Sequence, residues 1–148
     1  MSIEDRLADL GIDLPPVAKP VAAYVPAIQV GDQISTSGQL PLVSGSLPMT
    51  GLVGDQISQG DAAGQARVAA LNALAAAADV AGGVNNIRRV VRVVVYVAST
   101  ADFTAQPAVA NGASELFGEI FGDAGRHIRS AIGVASLPLG APVKVELT

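Results

Sequence analysis

Arg129 heads a short apolar run, Ile128-Arg129-Ser130-Ala131-Ile132-Gly133-Val134, and Glu146 lies in the last one, Val143-Lys144-Val145-Glu146-Leu147. A guanidinium at the mouth of a strand otherwise built for burial is costly unless an anion meets it. Its planar fork fits a carboxylate through two parallel hydrogen bonds. Alternation along the final strand sets Lys144 and Glu146 on one face, away from Val143, Val145 and Leu147. Glu146 suits activation of a water if that face lines a pocket, and is an ordinary outward charge if it meets solvent. Arg129 has a plain alternative too, as the surface partner of an acid such as Asp123.

Other chemistries are short of residues. There is no cysteine, which removes disulfides, thiolate catalysis and zinc-thiolate sites together. His127 is the single histidine; beside Arg126 in a helix-to-strand loop it reads as solvated, and no spacing suggests a metal-ligand set. The chain lacks a P-loop, a Gly-x-Ser-x-Gly elbow and a Gly-x-Gly-x-x-Gly turn. The hydroxyls of Ser35-Thr36-Ser37 have no base nearby and read as structural. Net charge is −4 with nine basic residues, against the basic stripe that nucleic-acid binding needs. The one basic cluster, Arg88, Arg89 and Arg92, reads as a solvated strand edge or subunit contact. No cofactor, metal or nucleic acid is expected.

Half of the residues are hydrophobic and 15% are charged, giving a mean hydropathy of +0.45. Asn72 and Asp79 break the longest apolar stretch before it reaches the roughly 18 residues a membrane span needs. Met-Ser-Ile-Glu-Asp-Arg offers no apolar signal core, so a cytoplasmic location without membrane contact is expected. The surplus apolar surface then calls for another subunit.

The elements that must position these groups follow from periodicity and punctuation. Ser2 with Asp5 forms a capping box for a helix to Leu10, stopped by Gly11. Leu14-Pro15-Pro16 and Lys19-Pro20 make an extended connector. Tyr24–Val30 and Gln33–Ser37 read as strands around a Gly31-Asp32 turn. Asp61 to about Ala81 reads as a helix whose inner stripe holds Ala63, Ala66, Ala70, Ala73, Leu74 and Ala77, with Gln65, Asn72 and Asp79 largely off it. Val90–Ala98 reads as a strand covered on both faces. Pro107 opens a helix to Phe121, and Arg129–Val134 and Val143–Leu147 are the final strands. Helices segregated from a mixed sheet make the class α+β.

Tyr24-Val25-Pro26-Ala27, Ser37-Gly38-Gln39-Leu40-Pro41, the Asn111-to-Phe117 helix start, Arg129-Ser130, and Leu137-Pro138 before Val143-Lys144-Val145-Glu146 stand in one order from residue 20 onward. Together they resemble the YjgF/Rid family of reactive-intermediate deaminases, in older naming endoribonuclease L-PSP. The resemblance implies a chorismate-mutase-like α+β fold, two helices on one face of a mixed sheet, and a homotrimer with a barrel-like core and three interface pockets. It implies one domain over 1–148, with 1–19 as helix and Pro-rich lead-in and 20–148 as core. The implied reaction is hydrolysis of short 2-imino acids, such as 2-iminopropanoate, to 2-oxo acids and ammonia without metal or organic cofactor. Arg129 then clamps the substrate carboxylate and Glu146 places the water, while Tyr24, Gly38, Asn111, Ser130 and Ala131 fall at pocket positions. Family deaminases often carry cysteine where this chain has Ala131, and the connectors 122–128 and 139–142 are slightly longer here. The N-terminal helix is extra. A non-catalytic trimer that binds a small carboxylate or regulates a partner is the alternative.

Overall fold

The computed structural model describes residues 1–20 and 22–148. Helix α1 spans Ile3–Asp9, with Ser2 Oγ accepting from Asp5 N and the Asp5 carboxylate accepting from Ser2 N. Arg6 Nε donates to the Glu119 carbonyl at 2.8 Å, which ties this first helix to a later one. Strands β1 (Ala27–Val30) and β2 (Gln33–Thr36) pair antiparallel around Gly31-Asp32. The first strand is shorter than expected, since Tyr24 to Pro26 stay outside it.

Helix α2 (Gln59–Ala81) starts two residues before Asp61, because Ser58 Oγ accepts from Asp61 N and so fixes the cap earlier. Gly82, left-handed at φ 80°, closes it. Its alanines bury against the sheet and the third helix. Gln65 and Asn72, expected off the inner face, are buried as well. Asn72 earns its place by donating from Nδ2 to the carbonyls of Leu40 (2.9 Å) and Leu42 (3.0 Å), which satisfies groups that burial would otherwise orphan.

Strand β3 (Arg92–Ala98) is the centre of a three-stranded sheet. It pairs parallel with β4 (Ile128–Val134) and antiparallel with β5 (Val143–Leu147). Arg88 and Arg89 thus lie before the strand rather than in it. The Gln39–Val145 bridge, two backbone hydrogen bonds of 2.8 and 2.9 Å, attaches the first hairpin beyond β5. Helix α3 (Gln106–Phe121) packs with α2 on the face that carries Val93, Val95, Val97, Val143 and Val145, all fully buried. At the contact, a Cβ on Gly112 would overlap the Ala63 carbonyl, so only glycine lets the helices meet so closely. No helix among the described residues is long and apolar enough to cross a membrane.

Strand β3 separates the last two strands. One expectation is corrected, that the Arg129 strand is built for burial: within the described residues β4 is an edge strand paired on one side, and Arg129 and Ile128 are exposed, the latter at 62%.

Candidate functional site

Sheet register decides which side chains can meet. Arg129 pairs with Val93 in β3, and Glu146 pairs with Val94. Partners across a ladder point the same way and successive residues point opposite ways. Arg129 and Ala131 therefore project on the helix side of the sheet. Glu146, Lys144, Tyr96, Ser130 and Ile132 project on the other.

On the helix side, Arg129 Nη1 donates to Asn111 Oδ1 at 2.7 Å and to Ser114 Oγ at 3.2 Å. Asn111 and Ser114 are three apart on α3, hence on one face. The helix-disfavoured pair Asn111-Gly112 is thus explained twice over, by the guanidinium and by the α2 contact. Both Nη1 hydrogens are spent, which leaves Nε–H and the neighbouring Nη2–H as a free, parallel edge among the described residues. No carboxylate pairs with Arg129 among them, Asp123 included; the ion pairs are Arg67–Glu119 at 3.2 Å and Arg88–Asp32 at 3.9 Å.

His127 corrects the expectation of a solvated loop residue. It is half-buried, with Nε2 at 2.9 Å from Ser114 Oγ and Nδ1 at 2.6 Å from the Gly125 carbonyl. Its ring stands edge-on to Phe117, centroids 6.1 Å apart at 88°. The loop can fold this tightly because Gly125 has no side chain; a Cβ there would overlap the Phe117 carbonyl.

On the opposite face Tyr96 Oη donates to Glu146 Oε1 at 3.1 Å. Partial burial, then the charge and hydrogen bond of Glu146, raise the Tyr96 phenol above its ordinary 10.0, with Arg92 pulling weakly the other way. The phenol therefore stays a proton donor at neutral pH. The Lys144 stem, from the same face as Glu146, lies against Gly38, where a side chain would collide with it. Gly38 shares a small crevice of about 50 Å³ with Tyr24, Lys19, Pro20 and Ser37, and Tyr24 is 47% exposed at its rim.

One chain thus carries two separate groups of the expected residues. Arg129, Asn111 and Ala131 gather near α3, whereas Tyr24 and Gly38 sit together with Lys144, and Glu146 projects with Lys144 and Ser130. Ser114, His127 and Tyr96 were not singled out as site residues from the sequence. Ser114 carried a usable signal in its three-residue offset from Asn111, and Tyr96 in being the one ring of a valine strand. His127 carried none, since its partners come from two other elements. A roomier cleft of about 540 Å³ opens between the hairpin, α2 and Arg88-Arg89, and it contains none of these groups. The hydroxyls of the Ser35-Thr36-Ser37 run meet neighbouring groups: Thr36 Oγ1 accepts from Leu147 N at 3.1 Å and Ser37 Oγ accepts from Gln39 Nε2 at 3.1 Å.

Comparison with known proteins places the chain among relatives. The model of the YjgF/chorismate mutase-like family, whose description adds an unproven endoribonuclease role, matches residues 4–147. Protein TCP17 of Trypanosoma cruzi is 41% identical over 142 residues, 95% of this chain and 89% of that one. A crystal structure from Shewanella oneidensis MR-1 superposes with a TM-score of 0.95 at 33% identity, covering 99% of this chain and 97% of that one. The Escherichia coli YjgF gene product superposes with a TM-score of 0.63 at 27% identity, covering 90% and 91%.

Proposed function

The chain belongs to the YjgF/chorismate mutase-like family, and from that premise we propose that it hydrolyses short 2-imino acids to 2-oxo acids and ammonia, without cofactor, in pockets built by adjoining chains of a homotrimer. The observation that carries this reading is the half-used guanidinium of Arg129. Asn111 and Ser114 hold Nη1, and the open Nε/Nη2 edge has the spacing of a carboxylate's two oxygens.

With the carboxylate docked there, the imine carbon lies just beyond it. Water oxygen forms a bond to that carbon as the C=N π pair moves to nitrogen. Glu146 takes the proton that the water releases and passes it to that nitrogen, giving the neutral carbinolamine. The carbinolamine hydroxyl then gives its proton, again through Glu146, to the amine nitrogen; the C–N bond breaks as C=O forms, and ammonia leaves with the electron pair. Tyr96 holds Glu146 Oε1, so Oε2 is the oxygen available to water. Fixing acid, water and substrate in one frame accounts for much of the acceleration such a facile reaction needs.

Arg129 and Glu146 face opposite sides of their own sheet, so they can serve one substrate only if Glu146 comes from a neighbouring chain. Exposed Ile128 (62%) and Ile132 (43%) on the face without helices supply apolar area for that contact. Two measurements test the reading. Light scattering should give three times the 14.8 kDa chain mass. 2-Iminopropanoate generated in situ by an amino-acid oxidase should decay faster with the protein present, and Arg129→Ala should return the decay to its buffer rate. Equal decay with wild type and variant overturns the proposal.

One observation favours a non-catalytic carboxylate-binding module: the Arg129 clamp is complete in a single chain without Glu146. Glu146→Gln separates the readings. Hydrolysis should collapse while 2-oxo acid binding persists; a wild type that binds but never hydrolyses supports the module.

A further inference from the structure

Resting on that reading, we propose that Ser114 and His127 are positioning residues for the Arg129 clamp, a neutral His127 drawing the Ser114 proton to itself and so turning a serine lone pair toward the guanidinium. A carbonyl oxygen can only accept, so the 2.6 Å contact with Gly125 O requires the proton on His127 Nδ1. In the neutral ring Nε2 is then an acceptor, and Ser114 Oγ–H, 2.9 Å away, is its donor. The serine hydrogen is spent. What Ser114 offers Arg129 Nη1 at 3.2 Å is a lone pair, while Asn111 Oδ1 takes the other Nη1 hydrogen at 2.7 Å.

Two acceptors on one nitrogen fix the plane of the guanidinium, and with it the direction of the open Nε/Nη2 edge. The anchor reaches into the core, because His127 stands against the fully buried Phe117 ring and Gly125 has no room for a side chain. A planar fork recognises a carboxylate by orientation as well as charge. Affinity for the substrate's acid end therefore depends on two residues that never touch the substrate. Their effect belongs in ground-state binding, so KM should move and kcat should not.

The full-length chain and its Ser114→Ala, Ser114→Thr and His127→Phe variants are titrated with 2-oxobutanoate by NMR, alongside imine hydrolysis. Ser114→Ala and His127→Phe should weaken 2-oxobutanoate binding about five- to tenfold, one hydrogen bond's worth, and raise KM by the same factor at constant kcat. Ser114→Thr should restore both, and affinity for the methyl ester should not change. Circular dichroism confirms that each variant is folded, and 15N shifts of wild-type His127 should show Nδ1 protonated with Nε2 accepting. Wild-type KM and affinity in Ser114→Ala, or the opposite His127 tautomer, overturn the inference and leave the imine reading standing. A wild type that neither binds 2-oxo acids nor hydrolyses imines removes the reading first, and this inference with it.

Discussion

Tyr96 and Glu146 meet diagonally across adjacent antiparallel strands, the phenol donating to Oε1 at 3.1 Å. Register makes the pair: Glu146 lies opposite Val94, two residues before Tyr96, so both side chains share the face without helices.

That contact has a pH signature. The folded state raises the phenol above 10.0 through burial first and the Glu146 charge second. A group whose folded pKa is raised contributes stability that is full below its unfolded value and lost as pH rises through the folded one. Denaturant midpoints of wild type should therefore fall more steeply from about pH 10 upward than those of Tyr96→Phe. Parallel curves would refute the pairing.

Glycines of α3 predict opposite outcomes. Gly112→Ala would drive a Cβ into the Ala63 carbonyl and should cost about 1–3 kcal/mol as an overpacked contact. Gly118 is exposed and a Cβ there meets nothing within 4 Å, so Gly118→Ala should stabilise by up to about 1 kcal/mol from helix propensity. Urea unfolding of both variants checks the sign.

Asn72→Ala removes the two hydrogen bonds to Leu40 and Leu42 from a buried amide. The expected loss is about 1–3 kcal/mol, with faster amide exchange over residues 39–43. Exchange unchanged in that segment would mean the amide does not hold it.

Arg129→Lys keeps the charge but loses the fork. A lysine ammonium can meet Asn111 or a ligand oxygen, not both edges at once. KM for 2-iminopropanoate should rise about tenfold or more, and wild-type KM would show that charge alone suffices.

Local chemistry in the sequence was enough to foresee the capping box of Ser2 and Asp5, the Gly31-Asp32 turn and the burial of Val93, Val95 and Val97. Each depends on residues a few positions apart. Pairing order was not foreseeable in that way: nothing local in Ile128–Val134 or Val143–Leu147 says that β3 lies between them, and this interposition sets Arg129 and Glu146 on opposite faces. Asn72 was misjudged because periodicity scores polarity, whereas its burial depends on two carbonyls thirty-odd residues away. His127 was misjudged for the same reason, its partners being a helix serine and a turn carbonyl brought together by the fold.

Gly112 has a bearing on its neighbour. Because the missing side chain lets α2 and α3 interlock at a fixed height, neither helix can slide or roll against the other without steric collision. Asn111, one residue earlier, inherits that immobility and presents its amide oxygen at an address set by backbone contact rather than by its own packing. Substitution at 111 can therefore retune what the guanidinium feels without disturbing the scaffold, while substitution at 112 would displace the whole assembly of acceptors together.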